Sequence, residues 1–198
     1  SSSSRGLGDV YKRQILVYGA IRNSKSLEEL IAITKNIKNK VNINIIVAGK
    51  QNISAKKILN KKNLVKEKVN QNFKIFNRFI YTSEENYLFS KIDAVWCVYK
   101  NTPLGSSGVF HASINYHKPV ITNDLGLVGW YNKKYKLGPI LEFNGAKNFE
   151  TSCKKIVELC KDKKKYQFYK NNQLRLSNTF KKQNKLDELI RQFAENSK

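Results

Sequence analysis

The strongest candidate binding site in this sequence is a run of five mostly small residues. Gly105, Ser106, Ser107, Gly108 and Val109 join the end of a predicted buried strand to the start of a predicted helix. Free backbone amides at the amino end of a helix, with the helix dipole behind them, attract anions, and Gly108 would let a phosphate come close. The run therefore predicts either a phosphate-binding loop or a glycine-rich turn whose serine only caps the helix.

Two further loops stand in the same position relative to their strands. One contains Gly19, Arg22 and Lys25 after the first predicted strand, and the other contains Asp124 and Gly126 after the fifth. Ligands of an open parallel sheet bind beyond the carboxyl ends of the strands, so we expect all three loops at one edge. Arg22 or Lys25 would reach the same anion there. The alternatives are a solvent-exposed role for Lys25 and an ordinary capped turn at Asp124.

The histidines and cysteines predict neither a metal centre nor a catalytic triad. His111 and His117 have no partner at metal-ligand spacing, so we expect them to serve packing or capping. Cys97, Cys153 and Cys160 are an odd set without metal-type spacing and are expected to be buried thiols. Spacing alone assigns no Ser, His and Asp set, so the sequence predicts no catalytic residue.

The hydrophobic pattern indicates which elements position these loops. Short apolar runs alternate with amphipathic stretches, which is typical of βαβ units and a mostly parallel sheet. We predict a Rossmann-like α/β domain of about six strands, with helices on both faces and further helices at the carboxyl end. The predicted strands are 15–21, 43–48, 73–81, 94–99, 119–122 and 139–143. The predicted helices lie within 27–37, 55–69, 83–93 and 107–116, then after 126 and from 149 onward.

The formal net charge of +22 comes almost entirely from lysine. A nucleic-acid surface would cluster its charge and favour arginine, whereas this excess accompanies abundant asparagine and isoleucine, the amino acids of AT-rich codons. We therefore predict solvated lysines and no nucleic acid partner, with a basic nucleic-acid-binding protein as the less favoured alternative. No apolar run approaches the roughly 20 residues of a membrane-spanning helix, and no signal peptide is recognised. We expect a cytoplasmic protein. We also consider a peripheral contact of this protein with the anionic inner face of the cytoplasmic membrane.

The first fourteen residues are interpreted as foreign to the native protein. Residues 9–14 match the translation of a transposon end used to prepare sequencing libraries, and 1–8 form a serine-rich lead-in. We therefore exclude 1–14 from the fold prediction. Residues 15–198 are expected to form one domain, and we expect that an upstream domain is missing.

Three separated segments together resemble one protein family. They are Gly19 with Lys25 six residues on, then Asn77, Arg78, Phe79 and Ile80 followed by Glu84, Glu85 and Asp93, then Ser107, Gly108 and Val109 followed by Lys118, Pro119, Val120 and Ile121. In this order and spacing they resemble the carboxyl-terminal domain of GT-B glycosyltransferases of family four. The resemblance covers about residues 15–143.

The resemblance implies one half of a GT-B fold, which binds the sugar donor while the missing half holds the acceptor. It implies that Lys25 contacts the donor diphosphate, that the helix end at 107–109 faces the donor, and that 124–129 lines the cleft. It implies no metal or other cofactor, because cationic side chains and helix amides offset the charge of the leaving diphosphate. The implied partners are a nucleoside diphosphate sugar and a polysaccharide, lipid-linked glycan or other cell-envelope acceptor.

Three positions depart from the family pattern. Many members carry two glutamates eight positions apart, where this chain has Leu104 and Ala112, and Ala20 stands where an arginine is frequent. Neither Leu104 nor Ala112 can accept a hydrogen bond through its side chain. We predict that this chain is the donor domain of a glycosyltransferase and that, without the missing domain, it transfers no sugar. The principal alternative is a non-catalytic scaffold or binding module.

Overall fold

The chain folds around a single parallel sheet. The computed structural model describes residues 12–66, 69, 72–100 and 107–196, except for the side chains of 186 and 188–196. Within this part of the chain, six strands pair in parallel in the order β3-β2-β1-β4-β5-β6. They are β1 (Arg13–Tyr18), β2 (Ile43–Ala48), β3 (Phe73–Phe76), β4 (Ala94–Cys97), β5 (Val120–Asn123) and β6 (Ile140–Leu141). The predicted six-stranded parallel sheet is confirmed.

Helices cover both faces of the sheet, as predicted. They are α1 (Leu27–Ile37), α2 (Ile53–Ile58), α3 (Lys61–Lys66), α4 (Thr82–Lys91), α5 (Gly108–Asn115), α6 (Gly126–Tyr135), α7 (Ala146–Lys161) and α8 (Lys163–Asn196). Helices α1 and α7 pack on one face, where Ile33 and Ile156 belong to the same buried cluster. Helices α4, α5 and α6 pack on the other, where Phe89 and Phe110 are buried. Helix α8 extends from the first face to the second, because Tyr166 packs on the first cluster and Leu176 belongs to the second.

The central strands β1 and β4 are largely apolar because both of their faces are covered. Ile15, Leu16 and Val17 of β1 are at most 2% exposed, and every residue of β4 is at most 1% exposed. Buried parallel strands are expected to be continuous apolar runs of this kind. The position of β1 and β4 next to each other in the sheet then sets the geometry of the loops that follow them.

Every strand except β2 differs in its bounds from the prediction, most clearly β1 and β3. Strand β1 ends at Tyr18 rather than at residue 21. Strand β1 starts at Arg13, because Arg13 and Gln14 pair in register with Ile43 and Asn44 of β2. Arg13 also donates to Asp93 Oδ1 at 2.8 Å. These two residues therefore take part in the fold from which we excluded them, while the origin of 1–14 stays a prediction. Strand β3 ends at residue 76 rather than 81, where the chain turns toward α4.

The lysine-rich helix predicted over 55–69 is two short helices. Asn52 caps α2 by accepting the Ala55 amide at 2.8 Å. Asn60 accepts the Asn63 amide at 2.8 Å and so begins α3 as a separate helix. Asparagine competes with regular helical bonding in this way, which explains the break.

Candidate anion-binding site

The loops after β1, β4 and β5 are tied together at the carboxyl edge of the sheet. The Lys100 amide donates to the Ser24 carbonyl at 2.7 Å, which joins the first two loops. Asn123 joins the second to the third, since its Nδ2 donates to the Tyr99 carbonyl at 2.7 Å and its Oδ1 accepts the Tyr99 amide at 3.3 Å. The predicted meeting of the loops at one edge is therefore observed in the described residues.

The amino end of α5 packs directly on the end of β1. Gly19 has a φ of +84°, and a Cβ at this position would lie 3.2 Å from Val109 Cγ2. Gly49, at the end of β2, packs against Gly19 from the other strand, since a Cβ on Gly49 would fall 1.8 Å from the Gly19 carbonyl oxygen. Glycine at both positions allows three chain segments to converge where a larger residue would separate them. Gly19 and Val109, two of the predicted site residues, are thus brought into contact.

The first turn of α5 presents an open backbone surface. Ser107 caps the helix, with its Oγ accepting the Phe110 amide at 3.3 Å and pairing with the Tyr99 hydroxyl at 2.8 Å. Gly108 is exposed, and a Cβ there would have no neighbour within 4 Å among the described residues. Ser106, also predicted for the site, lies outside the described residues, as does Leu104.

Lys25 is buried beside this helix end. It closes a 3-10 turn, Asn23–Lys25, and is 6% exposed. Its carbonyl accepts the Trp96 indole N–H at 2.8 Å, and its Nζ lies 5.2 Å from the centre of the Tyr99 ring. The solvent-exposed role considered for Lys25 is therefore wrong. The physical reason is that Trp96 of the central strand β4 anchors the turn and holds the lysine against the sheet.

The Lys25 ammonium lacks a carboxylate partner among the described residues. Burial lowers its pKa, and the Arg22 guanidinium lowers it further, while the Cys97 thiol acts in the opposite direction. Burying a cation is costly unless an anion or an aromatic face compensates. The Tyr99 ring supplies the aromatic face, and an anion is the partner that remains to be supplied.

The remaining predicted site residues lie around this position. The Arg22 side chain is exposed at the rim, and its carbonyl accepts the Lys25 amide at 3.0 Å. Asp124 is exposed and pairs with Lys133 at 2.9 Å. Gly126 begins α6 with a φ of +58°. Asp124 and Gly126 therefore follow β5 at the same edge, but the Asp124 carboxylate is already paired with Lys133 of α6.

Tyr99 was not predicted for this site, although it contacts three of its parts. Its ring faces Lys25, its hydroxyl meets Ser107 and its backbone is bonded to the Asn123 side chain. The available signal was its position, since it is a polar aromatic residue two positions after the fully buried strand β4. Trp96 is 1% exposed, and its bond to the Lys25 turn was not predicted either.

A separate groove lies between the end of β3 and α4. It has a volume of about 370 Å³ and is lined by Phe76, Arg78, Ile80, Ser83, Glu84, Tyr87 and Leu88. Arg78 and Glu84 form an exposed ion pair at 2.5 Å. This pair and the Tyr81 amide lower the pKa of Glu84 to about 2. Glu85, on the same helix, accepts the Tyr18 hydroxyl at 2.6 Å, so α4 is tied to the end of β1.

The cysteines are buried free thiols, as expected. Burial raises the pKa of Cys97 and of Cys160 to about 12, so both stay protonated at neutral pH. Within the described residues, no three His, Cys, Asp or Glu side chains form a group that could hold a metal ion. The helices described here also include none with both the length and the apolar character needed to cross a bilayer.

The strand order and the all-parallel pairing are those of a Rossmann-like doubly wound sheet, which is also the fold of each half of a GT-B protein. Solved structures of glycosyltransferases match it. The C-terminal domain of LpcC, a glycosyl transferase group 1 family protein from Francisella tularensis, matches with a TM-score of 0.65 and 21% identity. The match covers 84% of this chain and 85% of that one.

Two larger proteins contain the same half. Sucrose-phosphate synthase from Thermosynechococcus elongatus matches with a TM-score of 0.71 and 13% identity over 93% of this chain and 46% of that one. Anabaena HepE in complex with UDP-glucose matches with a TM-score of 0.64 and 14% identity over 85% of this chain and 44% of that one. This chain therefore spans less than half of either protein. No family model and no curated protein sequence matches the chain. The resemblance to a GT-B carboxyl-terminal domain is thus confirmed at the level of the fold.

Proposed function

We propose that this chain is the donor-binding domain of a glycosyltransferase and that it binds a nucleoside diphosphate sugar. The observation that carries the proposal is a buried lysine, without a carboxylate partner among the described residues, beside the open amino end of α5. Both groups favour an anion, and both lie at the edge where parallel sheets bind ligands.

The diphosphate is the part of such a donor that this site suits. Lys25 would meet one phosphate from beneath, the Gly108 amide would approach from α5, and Arg22 would reach it from the rim. Each charge-assisted hydrogen bond of this kind contributes about 1.5–3 kcal/mol. Structural neighbours support this assignment, since HepE has been solved with UDP-glucose and pneumococcal GtfA with UDP and GlcNAc.

The same groups would assist the reaction in the complete enzyme. An acceptor hydroxyl oxygen forms a bond to the anomeric carbon of the sugar while the bond from that carbon to the diphosphate oxygen breaks. The acceptor hydroxyl releases its proton to solvent, and negative charge grows on the departing nucleoside diphosphate. Lys25, Arg22 and the helix amides stabilise that charge, so the proposal assigns no role to a metal ion.

The acceptor, in this proposal, is a polysaccharide or a lipid-linked glycan of the cell envelope, held by a second domain. We place the complete enzyme in the cytoplasm, at the inner face of the membrane where its acceptor would lie. We expect that this chain alone binds the donor without transferring the sugar. Robust transfer by the isolated chain would contradict that expectation.

A non-catalytic module with the same fold is the second candidate. The observation in its favour is Ala112, which lies half-buried on α5 and offers no side-chain acceptor where related enzymes place a glutamate. Such a module would keep the sheet and lose the use of the donor site.

Calorimetry on the wild-type chain and on Lys25→Met separates the two candidates. UDP-glucose and ADP-glucose serve as probes of different base. We expect the wild type to bind at least one of them and Lys25→Met to bind it roughly 10-fold or more weakly, because one charge-assisted contact is lost. Lys154→Met, which removes an exposed lysine of α7, is the matched control and should bind like the wild type. Absence of heat in the wild type would refute the donor proposal, and affinity unchanged by Lys25→Met would refute the assigned role of Lys25.

A further inference from the structure

Tyr99 joins every described part of the proposed diphosphate site. Its ring centre lies 5.2 Å from Lys25 Nζ, and its hydroxyl lies 2.8 Å from Ser107 Oγ. Its backbone amide and carbonyl are both bonded to the Asn123 side chain, at 3.3 and 2.7 Å. One residue therefore links the loop after β1, the amino end of α5 and the loop after β5.

The ring offers Lys25 a partner that does not compete with a phosphate. A carboxylate in this place would neutralise the ammonium and repel an incoming anion. An aromatic face attracts the ammonium through its quadrupole and leaves the positive charge uncancelled. The lysine is thus held in place while its charge stays available.

The hydroxyl acts on the other half of the site. Burial raises the pKa of Tyr99, so the hydroxyl stays protonated and can donate to Ser107 Oγ. That oxygen already accepts the Phe110 amide at 3.3 Å as the cap of α5. These two hydrogen bonds fix the Ser107 side chain at the helix end, beside the exposed Gly108.

We propose that Tyr99 is the positioning residue of the diphosphate site, where its ring holds the Lys25 ammonium and its hydroxyl holds Ser107 so that both serve one ligand. This inference rests on the proposed function of the site. It predicts separate consequences for the ring and for the hydroxyl.

Loss of the ring should make binding depend on pH. The groups that act on Lys25 are the Cys97 thiol of β4, the Arg22 guanidinium of its own loop and the Tyr99 side chain. The pKa of Cys97 lies at about 12, so that thiol carries no charge at neutral pH, and Arg22 opposes the lysine charge. Without the ring, the already lowered pKa of Lys25 falls further. The lysine then loses its proton as the pH rises and regains it as the pH falls.

The experiment measures the affinity for UDP-glucose and ADP-glucose by calorimetry between pH 5.5 and 8, where the diphosphate of either probe keeps its charge. We expect the wild type to change little over this range. Tyr99→Leu should bind roughly 10- to 30-fold more weakly at pH 8 and recover only part of that loss as the pH is lowered, because it also lacks the bond to Ser107. Tyr99→Phe keeps the ring, so it should be weaker by roughly 2- to 10-fold at every pH, through the lost bond to Ser107.

Tyr166→Leu is the matched control. Tyr166 faces the Arg13 guanidinium at 4.2 Å and donates to the Asp93 carbonyl at 3.1 Å, at the amino edge of the sheet. The Tyr166→Leu substitution therefore removes the aromatic partner of a cation far from the site. It should leave the affinity for the donor and the pH profile of that affinity unchanged. Should Tyr99→Leu fail to fold, as judged by thermal melting, Tyr99→Met removes the ring with an unbranched side chain that adapts better to the space left, and it tests the same prediction.

The results separate this inference from the function on which it rests. If the wild type binds and Lys25→Met does not, but the leucine variant binds like the wild type, only the role of Tyr99 is overturned. A loss in Tyr99→Leu that is equal at every pH would mean that the ring serves packing alone. If the wild type binds neither probe, the proposed function and this inference fail together.

Discussion

Replacing Gly108 by alanine would separate ligand binding at α5 from the stability of the fold. Gly108 is the first residue of α5, and an added Cβ would have no neighbour within 4 Å among the described residues. The substitution therefore causes no steric clash with that part of the chain. Because alanine is favoured over glycine in a helix, the free energy of unfolding should stay unchanged or rise by up to about 1 kcal/mol.

The affinity for the ligand, unlike the stability of the fold, should fall. The added methyl group occupies open space that the proposed site leaves to a phosphate at the end of α5. Losing one charge-assisted bond from a backbone amide costs about 1.5–3 kcal/mol. That cost corresponds to an affinity for the nucleoside diphosphate sugar that is roughly 10- to 150-fold lower.

Urea denaturation and calorimetry with UDP-glucose or ADP-glucose measure the two effects on the same protein. Gly145→Ala is a suitable control, because Gly145 precedes α7 with a φ of +86° and also has open space around its Cβ position. At a φ of +86° and a ψ of 164°, a region populated almost only by glycine, an alanine costs about 1–3 kcal/mol, so this variant should lose stability and keep its affinity. If Gly108→Ala binds the donor within about twofold of the wild type, a close approach of phosphate to this helix end is refuted, since even one ordinary bond is worth more.

Two further substitutions test the packing of the edge and the electrostatics of α4. Gly49→Ala places a Cβ 1.8 Å from the Gly19 carbonyl oxygen at a φ of +144°. Overpacking and backbone strain together should lower the free energy of unfolding, measured in urea, by about 3 kcal/mol. An unchanged urea midpoint would contradict this packing. The pKa of Glu84 lies at about 2, below its ordinary 4.5, so its pairing with Arg78 stabilises the fold above about pH 4.5 and is lost as the pH falls toward 2. In an NMR titration of the Glu84 carboxyl group, Arg78→Gln should return the pKa toward the ordinary range, and a midpoint that stays near 2 would show that Arg78 is not the cause.

The order of elements could be predicted from local patterns. The continuous apolar runs at 45–48 and Ala94–Cys97 have this character because central parallel strands are buried on both faces. The edge strand β3 was predicted less well, since Ile75 and Phe76 are 36% and 40% exposed although their types suggest burial. The strand ends where the Asn77 side chain accepts the Gln51 amide at 2.9 Å, a contact between two loops that no periodicity reveals.

The candidate site was likewise predictable only in part. That Gly19, Ser107 and Gly108 belong to loops at one edge followed from parallel topology, because the carboxyl ends of parallel strands point in one direction. The burial of Lys25 did not follow, since it depends on the Trp96 indole reaching its carbonyl from 71 residues along the chain.

Local residue types and their spacing thus established the sheet, the helices on its two faces and the edge where a ligand would meet it. Those features repeat over a few residues, and each short segment of the chain carries them. The environment of the Lys25 ammonium depends instead on side chains from separate strands and loops, above all Tyr99. Their convergence is created by the folded sheet, and for that reason the partner of the lysine could be recognised only after the strands were assembled.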